Sequence, residues 1–277
     1  MHTPITYYGG KQQLASTILG MIPPHRIYCE PYFGGGAVFF AKGKSFCEVI
    51  NDINDKIINF YDVCQDKQKF ELLQNRIQNT LDSEREFLRA DKMWRDTKKA
   101  KSKIDLAWAF WLLCNLGYGG TPEGGWKWDN GTSGSHGGVV MDNYRNQFTC
   151  KIHERLKYVQ ISCRDALTVI QQRDSEETFF FLDPPYPGSI QKHYKGFSFD
   201  DFKKLLDSLT TIKGKFILCN FESDILNDYI TRMGWRILVK DMPLRVANRV
   251  STGQKRKQEV MVYNYCVEPS LFDDMMI

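Results

Sequence analysis

Short apolar runs bounded by turn residues recur along the chain, and between them apolar positions fall at helical spacing. Such alternation predicts a mostly parallel sheet wrapped by helices. The expected strands are Arg26–Glu30, Phe46–Ile50, Tyr158–Ser162, Thr178–Leu182, Lys215–Asn220, Trp235–Lys240 and Glu259–Tyr265. Phe179-Phe180-Phe181-Leu182 is continuous rather than alternating, the pattern of a central strand covered on both faces. The segment from about 60 to 151 breaks this rhythm. Helical periodicity comes first, followed by a glycine-rich stretch from Gly117 to Gly138 that carries Asn115, Tyr118, Trp126, Trp128, Asn130 and His136 in or beside it. A loop of that length inside a compact domain is usually functional, and this one reads as a surface that orders on binding. The expected organisation is one α/β domain built from 1–59 and 152–277, with a helical, loop-rich domain inserted at 60–151.

Composition narrows the class without naming a function. The 277 residues are 42% apolar and 25% charged, ordinary globular values, and no stretch has the roughly 18 uncharged apolar residues of a membrane helix. The start, Met1-His2-Thr3-Pro4, lacks a basic then apolar leader, so the expectation is a cytoplasmic monomer with no membrane attachment. The eight cysteines, at 29, 47, 64, 114, 150, 163, 219 and 266, form no Cys-x-x-Cys pair, and all are expected to be reduced and structural. No metal site is expected.

A net charge of +4 is only mildly basic, but its distribution is uneven. Six basic residues against Asp96 lie between Lys92 and Lys103, and seven against Asp241 between Arg236 and Lys257. Each run alone fits a solvated face. Two of them beside a catalytic motif point to a phosphate-contacting surface.

Asp183-Pro184-Pro185-Tyr186 directly follows the buried Phe179–Leu182 run. In open parallel sheets ligands bind at the carboxyl ends of the strands, which is where this tetrapeptide falls. Two successive prolines fix their own φ and extend the residues before them. The result is a stiff platform presenting a carboxylate, carbonyls and an aromatic ring. N-methylation of an aromatic amine needs those groups, because the amine is a weak nucleophile until its two hydrogens are held. The Asp183 carboxylate and the Pro184 carbonyl suit that purpose, and Tyr186 can stack on an extruded base.

Three weaker signals accompany it. The first predicted strand runs into Glu30-Pro31-Tyr32-Phe33-Gly34-Gly35-Gly36, a strand–glycine–helix arrangement suited to a nucleotide-like ligand but unlike the Walker or dinucleotide fingerprints. The second ends in Asn51-Asp52-Ile53-Asn54, where an acidic residue is placed to accept ribose hydroxyls. Tyr7-Tyr8-Gly9-Gly10-Lys11 offers a lysine for a carboxylate, and Cys163-Arg164-Asp165 follows the third strand with an acceptor for an exocyclic amine.

Standing in this order, the motifs resemble the D12-class, or Dam-like, family of adenine-N6 DNA methyltransferases over about 1–59 and 152–277. The resemblance implies a Rossmann-like fold that uses S-adenosyl-L-methionine, with an inserted target-recognition domain and double-stranded DNA as partner. It also implies roles. Tyr7, Lys11, Asp52, Ile53 and Asp183 would contact the cofactor, Glu30, Pro31, Phe33, Gly34 and Gly36 would line its methionine end, and Asp165 would hold its adenine. Asp183, Pro184, Pro185 and Tyr186 would form the pocket for a flipped adenine. The family often has tryptophan at the place of Tyr7 and phenylalanine at that of Tyr32, so aromatic character is kept. The recognition segment matches too loosely to carry over base contacts.

Four alternatives stand beside this reading, and one of them, methylation of RNA or protein glutamine through the same tetrapeptide, is opposed by the N-terminal Gly-Gly-Lys motif and the central insertion. Cytosine-N4 methylation uses the same amine chemistry but more often has serine in place of Asp183. Cytosine-C5 methylation needs a cysteine nucleophile, typically after proline, and no cysteine here follows one. A non-catalytic DNA-binding module of the same fold would not need intact Asp52 and Asp183. Finally, the tail from Glu268 to Ile277 carries Ser270-Leu271-Phe272, which resembles the end of the short motif that binds bacterial sliding clamps, although Glu268 replaces the leading glutamine and Pro269 intrudes.

Overall fold

A computed structural model describes residues 1–128, 137–187, 197–243 and 256–267. In chain order the elements are α1 (Ala15–Met21), β1 (Ile27–Glu30), α2 (Ala37–Ala41), β2 (Cys47–Asn51), α3 (Asp55–Gln65), α4 (Lys67–Gln78), α5 (Glu84–Arg95) and α6 (Lys103–Leu116). There follow α7 (Gly137–Gln147), α8 (Lys151–Leu156), β3 (Gln160–Ser162), α9 (Ala166–Arg173), β4 (Thr178–Leu182), α10 (Phe199–Leu209), β5 (Lys215–Asn220), α11 (Asp224–Met233), β6 (Arg236–Pro243) and β7 (Arg256–Tyr263). The strands form one seven-stranded sheet in the order β3-β2-β1-β4-β5-β7-β6. This is the expected Rossmann-like architecture, with one addition. β7 enters antiparallel between β5 and β6, so the sheet ends in a hairpin rather than in a further parallel strand.

Packing divides the chain into two compact units, one of 1–20 with 33–165, the other of 21–32 with 166–277. In the first, β2 pairs parallel with β3, setting Asn51 opposite Ser162. Its helical core is built on α6, where every residue from Ala107 to Leu116 is buried. A helix apolar all round belongs inside other helices, and α3, α4 and α5 pack against it. Ser102 starts α6 by accepting from the Asp105 amide, and Asn54 and Asp66 cap α3 and α4 in the same way. Where those helices meet, Trp94 stacks on Phe110 at 5.2 Å, and the Trp108 indole N–H donates to Thr80 Oγ1 at 2.8 Å.

In the second unit β4 lies between β1 and β5, parallel to both, and is buried along its whole length. That position accounts for its unbroken Phe-Phe-Phe-Leu run. α10 opens with a reciprocal capping box between Ser198 and Asp201, and α11 closes on Gly234 in the left-handed region, where the backbone favours glycine.

The cysteines depart in part from expectation. Cys29, Cys64, Cys114 and Cys219 are buried core residues and Cys47 is half-buried, but Cys150, Cys163 and Cys266 are exposed. No described helix is long and apolar enough to cross a membrane. The tail from 268, and with it Ser270-Leu271-Phe272, lies outside the described residues, as do Asn130 and His136.

Candidate active site

In the first unit the carboxyl ends of β2 and β3 are joined by Asn51, whose buried amide does three jobs. Its Oδ1 accepts from Ser162 Oγ and from the Arg164 amide, both at 2.9 Å, and its Nδ2 donates to the Arg164 carbonyl at 3.0 Å. The turn carrying Asp165 is thereby fixed to the end of β2, and Asp165 itself is exposed. One residue on, the partly buried Asp52 accepts from the Gly34 amide through Oδ2 and from the Asn54 amide through Oδ1, both at 2.9 Å. Burial pushes its carboxyl upward, and the backbone N–H groups of Asn54 and Gly34 only partly offset that. Ile53 beside it is 73% exposed, an aliphatic face at the strand tip.

The glycine turn is tied at nearly every polar atom. Phe33 donates to the Asn51 carbonyl at 2.9 Å, Gly36 to the Phe33 carbonyl at 2.8 Å, and the Tyr61 hydroxyl to the Gly34 carbonyl at 2.8 Å. The Tyr7 side chain lies against Gly34 and Gly35, where a Cβ would come within 2.9 and 2.6 Å of it. At Gly36, with φ of 64°, a Cβ would meet the Phe33 ring at 2.4 Å. Part of the glycine requirement is therefore internal packing, with the aromatic rings of Tyr7 and Phe33 seated on bare backbone. The Tyr7–Lys11 turn is anchored in turn by Asn115 Oδ1, which accepts from the Thr6 amide at 2.9 Å, and by the Gly120 carbonyl, which accepts from Tyr8 at 2.9 Å. Lys11 is buried, and its Nζ donates to the Gly9 carbonyl at 3.0 Å.

In the second unit β1 and β4 run side by side, with Cys29 opposite Phe180, so Glu30-Pro31 and Asp183 leave the same edge of the sheet. Glu30 is buried and accepts from the Tyr28 hydroxyl. Asp183 and Pro185 are partly exposed, whereas Pro184 and Tyr186 are buried. The Tyr186 ring stands edge-on to Phe221 with centroids 4.5 Å apart. Its hydroxyl donates to Glu259 Oε1 on β7 and lies 3.4 Å from Asp183 Oδ1. The phenol is held well above its ordinary range, by burial first and then by the charges of Asp183 and Glu259.

The expected residues thus form two groups. Tyr7, Lys11, Phe33, Gly34, Gly36, Asp52, Ile53 and Asp165 belong to the first unit, and Glu30, Pro31 and Asp183 to Tyr186 to the second. Sequence reasoning gave no role to Asn51, Tyr61, Phe221 or Glu259. Asn51 stood within a quoted motif, but nothing in its neighbours marked it as the clasp between two strands.

The chain is matched from residue 7 to 240 by the family of D12 class N6 adenine-specific DNA methyltransferases, and it belongs to that family. It is an adenine-N6 DNA methyltransferase. It is 25% identical, over 93% of its own length and 93% of the relative's, to the type II methyltransferase M1.LlaDCHI of Lactococcus lactis subsp. cremoris. Among solved structures, precorrin 8w decarboxylase from Methanobacterium thermoautotrophicum is 10% identical over 96% of both chains at a TM-score of 0.42. An rRNA methylase from Streptococcus thermophilus is 9% identical over 90% of this chain and 94% of that one, at a TM-score of 0.37.

Proposed function

We propose that Asp183-Pro184-Pro185-Tyr186 is the catalytic pocket of this adenine-N6 methyltransferase and that the residues gathered at the ends of β2 and β3 hold its cofactor. The observation that carries the reading is the tetrapeptide's place, directly after a strand buried along its whole length. S-adenosyl-L-methionine, the methyl donor that the family implies, supplies an electrophilic methyl group on a sulfonium. The donor set suits that molecule. Asp52 presents a carboxylate for two ribose hydroxyls, Ile53 an aliphatic face for the adenine, and Asp165 an acceptor for its amine. Lys11, Tyr7 and the Glu30–Gly36 segment, with Pro31, Phe33, Gly34 and Gly36, serve the methionine end, and Asp183 contacts both cofactor and substrate.

For the transfer, Asp183 and the Pro184 carbonyl accept the two hydrogens of the substrate N6, and electron density on that nitrogen rises as they do. Asp183 is also placed to take the proton that N6 loses once the new N–C bond forms. The base reaches this pocket by leaving the duplex, at a cost of a few kcal/mol. Stacking on Tyr186 offsets part of it, toward the lower end of about 1–3 kcal/mol because the ring is only 9% exposed.

The domain reading goes with this. Residues 1–59 and 152–277 carry catalysis, and the insertion at 60–151 reads the DNA, with Tyr118 and Trp128, both more than half exposed, on the reading surface. The protein acts as a monomer in the cytoplasm on double-stranded DNA. Its tail is a candidate sliding-clamp peptide, tested by pull-down of purified clamp with wild type and with Leu271→Ala/Phe272→Ala. Loss of binding in the double variant supports it, and no capture by wild type at micromolar concentration removes it.

The decisive experiment compares wild type with Asp183→Ala for transfer of labelled methyl to unmethylated genomic DNA, followed by nucleoside analysis. We expect N6-methyladenine from wild type, none from the variant, and unchanged melting temperatures. Near-normal turnover by Asp183→Ala would sink the mechanism.

A further inference from the structure

β5 is apolar from Phe216 to Cys219 and then ends in a buried polar residue, Asn220, which is only 3% exposed. Half of its carboxamide has a structural task, since Oδ1 accepts from the Phe221 amide at 2.7 Å where the chain turns out of the strand. The other half has none: Nδ2 is buried and meets no acceptor among the described residues. Its strand neighbours offer no side-chain acceptor. Val260 pairs with it on β7, and on β4, where Leu182 pairs with Leu218, the residue two further on is Pro184. A buried donor without a partner is costly. Aspartate or serine would accept from the Phe221 amide equally well, so the NH2 group is what asparagine adds at this place.

That place is the carboxyl end of the sheet, where a ligand can bring the missing acceptor. The reading of Asp183 to Tyr186 as the base pocket, on which this inference rests, indicates which acceptor. Two acceptors around an exocyclic amine do not identify adenine, because the N4 amine of cytosine satisfies them too. The ring atoms beside the amine decide. Adenine N1 has its counterpart in cytosine N3, both acceptors, whereas adenine N7 is an acceptor where cytosine carries a C–H group. A donor to N7 therefore separates the two bases, and asparagine is a common donor to that atom. We propose that Asn220 is a base-reading residue whose Nδ2 donates to N7 of the flipped adenine. The donor is closed to water in the free protein, so the incoming base satisfies a group that nothing else serves.

The test is a cycle between enzyme and substrate on the full-length protein, with labelled S-adenosyl-L-methionine and two synthetic duplexes. Both carry the recognised site, located beforehand by sequencing DNA that the wild-type enzyme has methylated, and they differ only in adenine or 7-deazaadenine at the target position. Wild type is expected to use the 7-deazaadenine duplex with kcat/KM lowered about tenfold, the scale of one buried hydrogen bond. Asn220→Asp keeps the acceptor for the Phe221 amide but removes the NH2 group, and it is expected to be slower on adenine and to treat the two duplexes alike within about twofold. Asn220→Ala serves in the same cycle, with the same loss of preference, should the aspartate variant fail to fold. A merely structural role for Asn220 would lower both rates and leave their ratio unchanged. Equal use of the two duplexes by wild type, or a tenfold preference kept by the variants, overturns the proposal. Asp183→Ala run alongside separates the two readings. If that variant is inactive while the Asn220 variants keep the preference, only the role of Asn220 falls. If it turns over normally, the pocket assignment falls with it.

Discussion

Substituting Asp52 tests the cofactor half of the site most directly, because its carboxylate is already committed to two backbone donors. Oδ2 holds the Gly34 amide and Oδ1 the Asn54 amide, each at 2.9 Å, leaving a second lone pair on each oxygen for a ribose hydroxyl. Hydrogen bonds to a charged group contribute about 1.5–3 kcal/mol each. Losing two to the ribose at the lower limit removes about 3 kcal/mol, roughly a 150-fold rise in Kd for Asp52→Ala. Asp52→Asn is expected to cost about tenfold at least, since its NH2 group must face one of the two backbone donors that the carboxylate satisfied. Titration calorimetry with S-adenosylhomocysteine measures both, and unfolding curves of the free proteins confirm that the fold is kept. The pH dependence has a definite sign. Burial raises the Asp52 carboxyl above its ordinary value, so affinity falls with decreasing pH from somewhat above the usual aspartate pKa of about 3.9, and Asp52→Asn abolishes that dependence. A Kd for Asp52→Ala within about threefold of wild type would refute the assignment, because that is well under the loss of even one such bond.

Two further outcomes concern stability and DNA binding. Glu48 is buried with Arg155, which also donates to the Phe39 carbonyl at 2.9 Å, and with Lys42 at 2.6 Å. Glu48→Gln leaves buried cations without their counter-charge and is expected to cost about 3–5 kcal/mol, read as a fall in melting temperature of roughly 5–10 °C. Burial alone would raise the Glu48 carboxyl, but hydrogen bonds from Arg155 and Lys42 outweigh it and hold it below its ordinary value. Its stabilisation is therefore present above the unfolded pKa of about 4.3 and lost as pH falls through the lower folded value, a loss absent in Glu48→Gln. Lys98 and Lys99 are exposed. Replacing both by alanine is expected to flatten the log–log salt dependence of DNA affinity by about two units with sequence preference unchanged, and an unchanged slope would return that run to an ordinary solvated face.

The sheet was legible because strand burial leaves a direct trace in the sequence. Thr178–Leu182 and Lys215–Asn220 match their expected limits, since each is a short apolar run closed by turn residues. Orientation leaves no such trace. The Glu259–Tyr263 stretch reads the same whether its strand runs parallel or antiparallel, so the insertion of β7 between β5 and β6 was not readable. The same limit hid Glu259. A single charged residue in an apolar strand suggests a solvent-facing position, and only the third dimension brings it to the Tyr186 hydroxyl. Asp52, by contrast, was visible because strand-tip acids have a recognisable place in the chain order.

The glycine turn shows why a legible motif can still be misjudged in its cause. Glycines after a first strand suggest room for a ligand, yet the faces of Gly34, Gly35 and Gly36 are occupied by Tyr7 and Phe33. Those rings, with the bonds from Asp52, Tyr61 and Asn51, set the turn's shape before any ligand arrives. Preorganisation of this kind lowers the ordering cost of binding. It also couples two tasks on one carboxylate, because Asp52 both holds the Gly34 amide and is the proposed ribose acceptor. On the proposed assignment, a substitution there loosens the turn that leads to the methionine end while removing contacts to the ribose, so both ends of the proposed cofactor site depend on a single side chain.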